Sequence, residues 1–133
     1  MSATETPSIE RFVRGTLGCR CPDEVFASIR VEQQAEAGTP FVRLLVGERL
    51  LIYVLHPRPG PPAAALVTAL AARGRAERDA CGYNRFRLVV AGDARDPAGA
   101  EIPERFAAAA GEDPHAHLHL VAPDLLPAAL RPG

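Results

Sequence analysis

Two apolar segments separated by a short polar turn dominate the hydrophobic pattern of the chain. Phe41–Val46 and Leu50–Leu55 flank Gly47-Glu48-Arg49, and this pattern predicts a β-hairpin over residues 41–55. Both segments have few polar positions, and strands of that kind are usually covered by helices on both faces of their sheet. Three prolines within residues 56–61 end the second strand, because proline cannot donate to a sheet ladder.

Beyond the hairpin, helical and strand patterns alternate. The predicted elements are a helix over Pro62–Arg73 that ends at Gly74, a strand over Arg85–Ala91, a helix over Glu104–Ala110, a strand over His115–Val121 and a last helical turn over Asp124–Leu130. The charged segment Arg75–Asp79 is interpreted as a second helical piece. Alternation of strand and helix in this order is typical of parallel crossovers.

The segment before the hairpin is less regular. Met1–Pro7 is polar and is predicted to be frayed. Ile9–Leu17 mixes β-branched and aromatic residues with polar ones, which favours a strand. A short helix is predicted from Pro22, and Ile29–Gln34 alternates as a strand, although a longer helix there is the alternative. The sequence therefore predicts an α/β fold: one domain over residues 1–133, with a mixed sheet of five or six strands, the hairpin, parallel crossovers and helices on both faces.

Composition narrows the classes of function. The chain has 133 residues, 47% of them hydrophobic, and a formal charge of −1, which argues against disorder and against an electrostatic nucleic-acid binder. No apolar run approaches the roughly 20 residues that span a bilayer, and the first residues lack a signal-peptide core. We therefore expect a cytoplasmic protein with no membrane or nucleic-acid partner. A protein partner or a homo-oligomer is the expected kind of assembly.

The densest chemistry lies in Cys19-Arg20-Cys21-Pro22, which follows a glycine and precedes a predicted helix. Proline fits the first position of a helix, so Cys21 is predicted to be the N-cap and Glu24 the third helical residue, as in a capping box. Free backbone N–H groups and the helix dipole at such a position favour a thiolate. Asp23 and Glu24 oppose a second negative charge, and Arg20 would offset part of their effect if its side chain folded over the turn, so the direction of the net pKa shift of Cys21 is left open.

Several interpretations of these thiols stay open. Cys19 and Cys21 can be two small buried apolar side chains, a reactive pair, or metal ligands. A Cys-x-Cys disulfide closes a small strained ring, and strained disulfides are suited to exchange. Cys81 is interpreted as an incidental thiol, with a resolving partner as the alternative. Cysteines in a reducing compartment are more often free, metal-bound or catalytic than structural.

The stretch Leu17–Val25 resembles the Cys-Pro motif of the small TusA-like sulfur-carrier proteins. In that family a cysteine precedes the proline that starts the first helix, and it carries persulfide sulfur. Residues 47–52 are also similar to the family's second strand. The resemblance covers about a dozen residues, and the family has a second proline where this chain has Glu24. It implies that Cys21 is the sulfur-bearing residue.

Three histidines alternate along the last predicted strand, so His115, His117 and His119 are expected on one face, about 7 Å apart. With Cys19 or Cys21 they could complete a tetrahedral zinc site. The alternative is a polar face of an edge strand whose leucines, 118 and 120, point inward. Asp93 follows an apolar strand, where open α/β sheets place ligand-contacting loops, but such residues more often cap a turn.

Three hypotheses about function follow from the sequence. The first is a thiol protein, redox-active or sulfur-transferring, that acts through Cys21, with Cys19, Arg20 and Glu24 beside it and no cofactor. The second is a non-catalytic interaction or oligomeric protein whose hairpin buries apolar surface in another subunit. The third is a metal protein that uses the two thiols and the histidines of the last strand. Whether the protein is an enzyme is left open.

Overall fold

A computed structural model describes residues 5–18, 23–57, 63–92 and 100–131. Its centre is a five-stranded mixed sheet in the order β1-β2-β3-β4-β5. The strands are β1 (Ile29–Glu36), β2 (Thr39–Val46), β3 (Leu50–Leu55), β4 (Arg85–Ala91) and β5 (Ala116–Val121). The first three strands are antiparallel neighbours, whereas β3, β4 and β5 run parallel. The predicted hairpin, the parallel crossovers and the mixed α/β sheet are confirmed.

Helices of three kinds surround this sheet. Among the described residues, the α-helices are α1 (Glu5–Arg11), α2 (Ala63–Cys81) and α3 (Ile102–Ala110). A π-helical turn (Phe12–Thr16) continues α1, and short 3-10 helices cover Asp23–Ala27, Pro123–Leu125 and Ala128–Leu130. Within the described ranges, no helix combines the length and the apolar character needed to cross a membrane.

The two faces of the sheet carry separate hydrophobic clusters. One cluster joins the sheet to α1, the π-helical turn, the first 3-10 helix and the C-terminal turns. The other joins the opposite face to α2 and α3. Every residue of β3 is buried, and β2 is buried at all positions except Pro40. The central hairpin therefore needs both layers, as its sequence predicts.

The predicted strand over Ile9–Leu17 is wrong, because this segment is helical and includes the π-helical turn. Residues 5–7, which the sequence predicts to be frayed, form the beginning of α1. Ile9, Phe12, Val13 and Leu17 are all buried on one side. Their spacing is that of a helix face, so tertiary burial outweighs the strand preference of the β-branched residues.

Gly74 lies inside α2 and does not end it, contrary to the sequence prediction. A Cβ atom built on Gly74 would lie 2.2 Å from carbon atoms of the Phe86 ring. The missing side chain thus provides the space in which the aromatic ring of β4 packs against the helix. Residues 75–81 continue the same helix because this contact holds them against the sheet.

A polar cluster fixes the same helix over the hairpin. Glu77 on α2 accepts a hydrogen bond of 2.7 Å from the Arg43 Nε, and it also accepts one from the Tyr53 hydroxyl. Burial alone raises the pKa of the Glu77 carboxyl, but these hydrogen bonds outweigh burial, and the pKa lies below its ordinary value. The charges of Glu77 and Arg43 neutralise each other within the cluster, as in a structural ion pair.

We predict that Gly74→Ala destabilises the protein although alanine is the better helix former. Its helix preference contributes about 1 kcal/mol, whereas overpacking of a core costs about 1–3 kcal/mol and here forces the Phe86 ring to move. The free energy of unfolding in urea measures the difference. Ala76→Gly, at an exposed position of α2, is the matched control and should cost about 1 kcal/mol. A more stable Gly74→Ala protein would contradict this account of the contact.

Candidate functional site

The segment with the densest predicted chemistry lies outside the described residues; it comprises Cys19, Arg20, Cys21 and Pro22. Asp93 also lies outside them. Their predicted roles, including the capping box at Cys21, stay predictions. The structure does describe the segments on both sides of residues 19–22. These segments show which groups surround the two ends of the thiol stretch.

On its N-terminal side, the stretch begins directly after a well-fixed segment. Leu17 is buried and its N–H donates to the Phe12 carbonyl at 3.1 Å, closing the π-helical turn. The Leu17 carbonyl accepts a hydrogen bond of 3.3 Å from Nη1 of Arg87 on β4. Gly18 follows with φ +71°, a left-handed conformation that glycine adopts without strain. The chain therefore leads into the thiol stretch beside a guanidinium group.

On its C-terminal side, a 3-10 helix begins at Asp23 and ends at Ala27. Val25 and Phe26 are buried, and Glu24 is exposed between the stretch and these anchors. Gly47 in the hairpin turn packs closely here, because a Cβ atom at that position would lie 2.5 Å from Cγ1 of Val25. The described segments on either side of residues 19–22 are thus anchored in the core by Leu17, Val25 and Phe26.

Two basic rows on neighbouring strands meet on the same face of the sheet. Arg85 and Arg87 alternate along β4, and His117 and His119 alternate along β5, on the face that carries α1. Nη1 of Arg87 lies 2.8 Å from Nε2 of His119, and Nη1 of Arg85 lies 3.4 Å from Nε2 of His117. We call these four residues the Arg–His ladder. Because guanidinium groups only donate, each Nε2 is the acceptor and the imidazoles are neutral.

Arg87 has an unusual charge balance. It is half-buried, and its Nε is buried without a hydrogen-bond partner among the described residues. Within the described ranges neither Arg85 nor Arg87 forms an ion pair, whereas the buried Arg43 and Arg78 pair with Glu77 and Asp113. Burial and the nearby Arg85 charge lower the pKa of the Arg87 guanidinium. The positive charge at Arg87 is therefore uncompensated by any described residue, which is costly in a partly buried place.

The ladder also holds its histidines neutral. Burial lowers the pKa of His119 to about 4, and the charge of Arg87 contributes to this shift. Burial lowers the pKa of His117 as well, with further contributions from Arg87 and Arg85. Both imidazoles are uncharged near pH 7, with an N–H remaining on the ring nitrogen that does not face arginine. The ladder therefore offers N–H groups and positive charge.

The histidine prediction is confirmed in part. His117 and His119 share one face of β5, and leucines 118 and 120 pack on the opposite side against the cluster with α2 and α3. His115 lies just before β5 and is exposed. In the described part of the chain no group of three or more His, Cys, Asp or Glu residues is placed to hold a metal ion. The neighbouring guanidinium groups disfavour a cation beside His117 and His119. The zinc hypothesis also needs Cys19 or Cys21, which lie outside the described residues, so it stays a prediction.

Cys81 is exposed at the end of α2. This helix packs on the face of the sheet opposite to Leu17, the last buried residue before the thiol stretch. The fold therefore gives no support to a role for Cys81 as a resolving partner of Cys19 or Cys21.

A shallow cavity lies at the carboxyl ends of β3 and β5, where open α/β sheets commonly bind ligands. It has a volume of about 330 Å³, and His56, Asp124 and Arg131 are among the residues that line it. Arg131 donates to the carbonyls of Pro123 and Leu126, so its guanidinium holds the C-terminal turns together. The arginines of the ladder do not hold a turn together in this manner, and they have no carboxylate partner among the described residues. The ladder is therefore the stronger candidate site.

The arginines of the ladder were not among the residues singled out from the sequence. Their signal is present as Arg85-Phe86-Arg87, which alternates in the same manner as the three histidines. It becomes meaningful only when β4 and β5 are known to be parallel neighbours with Arg87 opposite His117.

We predict that His119→Gln reduces the loss of stability on acidification. Between pH 6.5 and about 4 the unfolded chain binds a proton that folded His119 excludes, so the free energy of unfolding rises with pH in this window. The contribution of His119 is at most about 3 kcal/mol, and glutamine retains an acceptor for Arg87. Urea unfolding from pH 4 to 7 measures the slope. Parallel curves for His119→Gln and wild type would refute the prediction.

The chain was compared with protein-family models, curated proteins and solved structures, and no match was found in any of the three. No relative therefore lends this chain a function. The resemblance of the Cys-Pro stretch to the sulfur-carrier family stays an expectation from the sequence, and the functional argument depends on the residues described above.

Proposed function

We propose that the protein is a thiol protein of redox or sulfur-transfer type, in which Cys21, with Cys19 beside it, is the reacting residue. One observation carries the proposal: Arg87, which has no carboxylate partner among the described residues, donates a hydrogen bond from Nη1 to the carbonyl of Leu17, two residues before Cys19 and four before Cys21. Two peptide units span at most about 7 Å of backbone and four span at most about 14 Å, so chain length alone keeps the Cα atoms of Cys19 and Cys21 within those distances of the Leu17 Cα.

The charge of Arg87 supports thiolate chemistry. A thiolate is the nucleophilic form of cysteine, and a nearby cation lowers the pKa of the thiol. Arg87 is suited to this role because the structure gives it no carboxylate within the described ranges. The neutral His119 beside it adds no charge of its own, but its free ring N–H can donate to an anion.

Sulfur transfer is the first form of this chemistry. The Cys21 thiolate attacks the outer sulfur of a small organic persulfide, the S–S bond of the donor breaks, and the donor leaves as a thiolate. Cys21 then holds the extra sulfur as a persulfide. The resemblance of residues 17–25 to the TusA-like Cys-Pro motif favours this form.

Dithiol–disulfide exchange is the second form. One thiolate of the Cys19–Cys21 pair attacks a substrate disulfide and releases the first substrate thiolate. The other thiol loses its proton and attacks the mixed disulfide, which releases the second substrate thiolate and leaves the strained Cys-x-Cys ring. The presence of two cysteines favours this form.

The hypothesis of a non-catalytic oligomer depends on excess apolar surface of the hairpin, and the structure does not leave that surface exposed. The apolar hairpin is buried by the chain's own helices, and Leu125 is the large hydrophobic residue exposed among those described. A protein partner stays a prediction. A sulfur or electron relay would need one, but the buried hairpin gives no separate reason to expect it.

The test exposes the protein to a small organic persulfide and, separately, to a small disulfide at pH 7, with the modified cysteines counted by mass spectrometry. Cys21→Ser should abolish modification of the stretch, while Cys81→Ser should leave it unchanged. Arg87→Gln should slow it about threefold, because a tenfold loss of thiolate is partly offset by greater nucleophilicity at higher pKa. Arg105→Gln, which removes an exposed charge on α3, is the matched control.

The products separate the two forms. One added sulfur on Cys21 indicates a carrier, and a Cys19–Cys21 disulfide with release of two substrate thiols indicates a redox protein. If wild-type Cys21 reacts no faster than a cysteine in a short peptide, or if Arg87→Gln reacts at the wild-type rate, the proposal is overturned.

A further inference from the structure

The Arg–His ladder has the composition of an anion site in its own right. Arg87 and Arg85 lie on β4, two residues apart on one face, and β5 supplies His119 and His117 to the same face. Each arginine contacts one imidazole, at 2.8 Å for Arg87 and 3.4 Å for Arg85. Four nitrogen-rich side chains thus lie side by side with no described acidic group among them.

The charge balance of the ladder differs from that of the other part-buried arginines. Arg43 and Arg78 are each held by a carboxylate, at 2.7 Å from Glu77 and 2.6 Å from Asp113 respectively. Among the described residues, Arg87 has only neutral acceptors, an imidazole and the Leu17 carbonyl. A guanidinium that is withdrawn from water and lacks a counter-charge is unfavourable by itself and becomes favourable when an anion binds.

The free hydrogen-bonding capacity of the ladder points the same way. Nε of Arg87 is buried and unpaired, and His119 retains one ring N–H after its Nε2 accepts from Arg87. Arg85 is exposed, which opens the ladder to solvent at the N-terminal end of β4. The available groups are donors, and donors around a positive charge select an oxygen-rich anion over a cation or a neutral molecule.

We propose that the Arg–His ladder binds a small oxyanion of the phosphate or sulfate type, free or as the end group of a small organic molecule. Arg87 supplies the buried charge, Arg85 the exposed charge, and the imidazoles of His117 and His119 further donors. Oxyanion binding does not require a reactive cysteine, so this proposal stands apart from the thiol function. A chain with both Cys19 and Cys21 changed to serine is the appropriate protein for the test.

The experiment measures thermal unfolding of the Cys19→Ser/Cys21→Ser protein in Tris–chloride buffer at pH 7.5 while inorganic phosphate is added. The expected result is a saturable rise of the melting temperature, because a ligand that binds only the folded state stabilises it. Sodium chloride of the same ionic strength is the control for screening and should give no saturable rise. Sulfate and methyl phosphate in separate arms show whether the free ion or an ester is preferred.

Variants in the same serine background locate the binding. Arg87→Met should weaken phosphate binding about tenfold or more, since it removes charged hydrogen bonds. Arg105→Met, which removes a charge from an exposed position of α3, should retain it. Without phosphate, Arg87→Met should be at least as stable as its parent because the uncompensated charge is gone. If that variant did not fold, Arg85→Met replaces it, with an expected loss of about threefold or more in affinity.

NMR spectra of the imidazole nitrogens provide a second measurement on the parent itself. Phosphate should shift the signals of His117 and His119 with the same apparent dissociation constant as the thermal data, and it should leave His56 unchanged. A melting temperature that phosphate raises no more than chloride does, or a rise that Arg87→Met retains in full, would overturn the proposal.

Discussion

The fold depends on one constraint: the central hairpin is apolar on both of its faces. Since β2 and β3 are buried almost throughout, the chain must cover each face with its own elements. The crossover helices α2 and α3 take one face, so the N-terminal helices and the C-terminal turns are needed on the other. This arrangement brings Leu17 against β4, where its carbonyl meets Arg87. The contact between Leu17 and Arg87 is therefore a consequence of how the hairpin is buried.

Both functional proposals depend on Arg87, whose positive charge has no negative partner among the described residues. Its guanidinium is half-buried without a carboxylate in the described part of the chain. A thiolate in the adjacent stretch or a bound oxyanion would each reduce the cost of that charge, and both follow the same rule, that a partly buried charge calls for a partner. The rest of the sheet obeys this rule internally, as the contact between Arg43 and Glu77 shows. In the ladder, no described carboxylate balances the charge of Arg87, so the balancing anion would have to be a thiolate or a bound ligand.

The sheet could be predicted from the sequence because its strands carry strong local signals, above all the hairpin and the alternation of polar and apolar residues at 85–91 and 115–121. The helical segment at Ile9–Leu17 could not, because its β-branched residues favour a strand locally and only burial against the sheet selects the helix. The prediction that Gly74 ends the helix was wrong for a similar reason. The glycine provides space for the Phe86 ring, and no local sequence pattern reveals that contact. The histidine row was visible, but its arginine partners acquire meaning only through the register of β4 and β5.

The central claim is that a positive charge beside the Cys19-Arg20-Cys21 stretch stabilises a thiolate. The most direct measurement is a pH titration of the cysteine ¹³Cβ signals by NMR, in wild type and in Arg87→Gln. The account predicts that the Cys21 thiol has a pKa below the ordinary value of about 8.5, and that the Arg87→Gln change raises it. Cys19 and Cys21 titrating at or above that value in both proteins would contradict it.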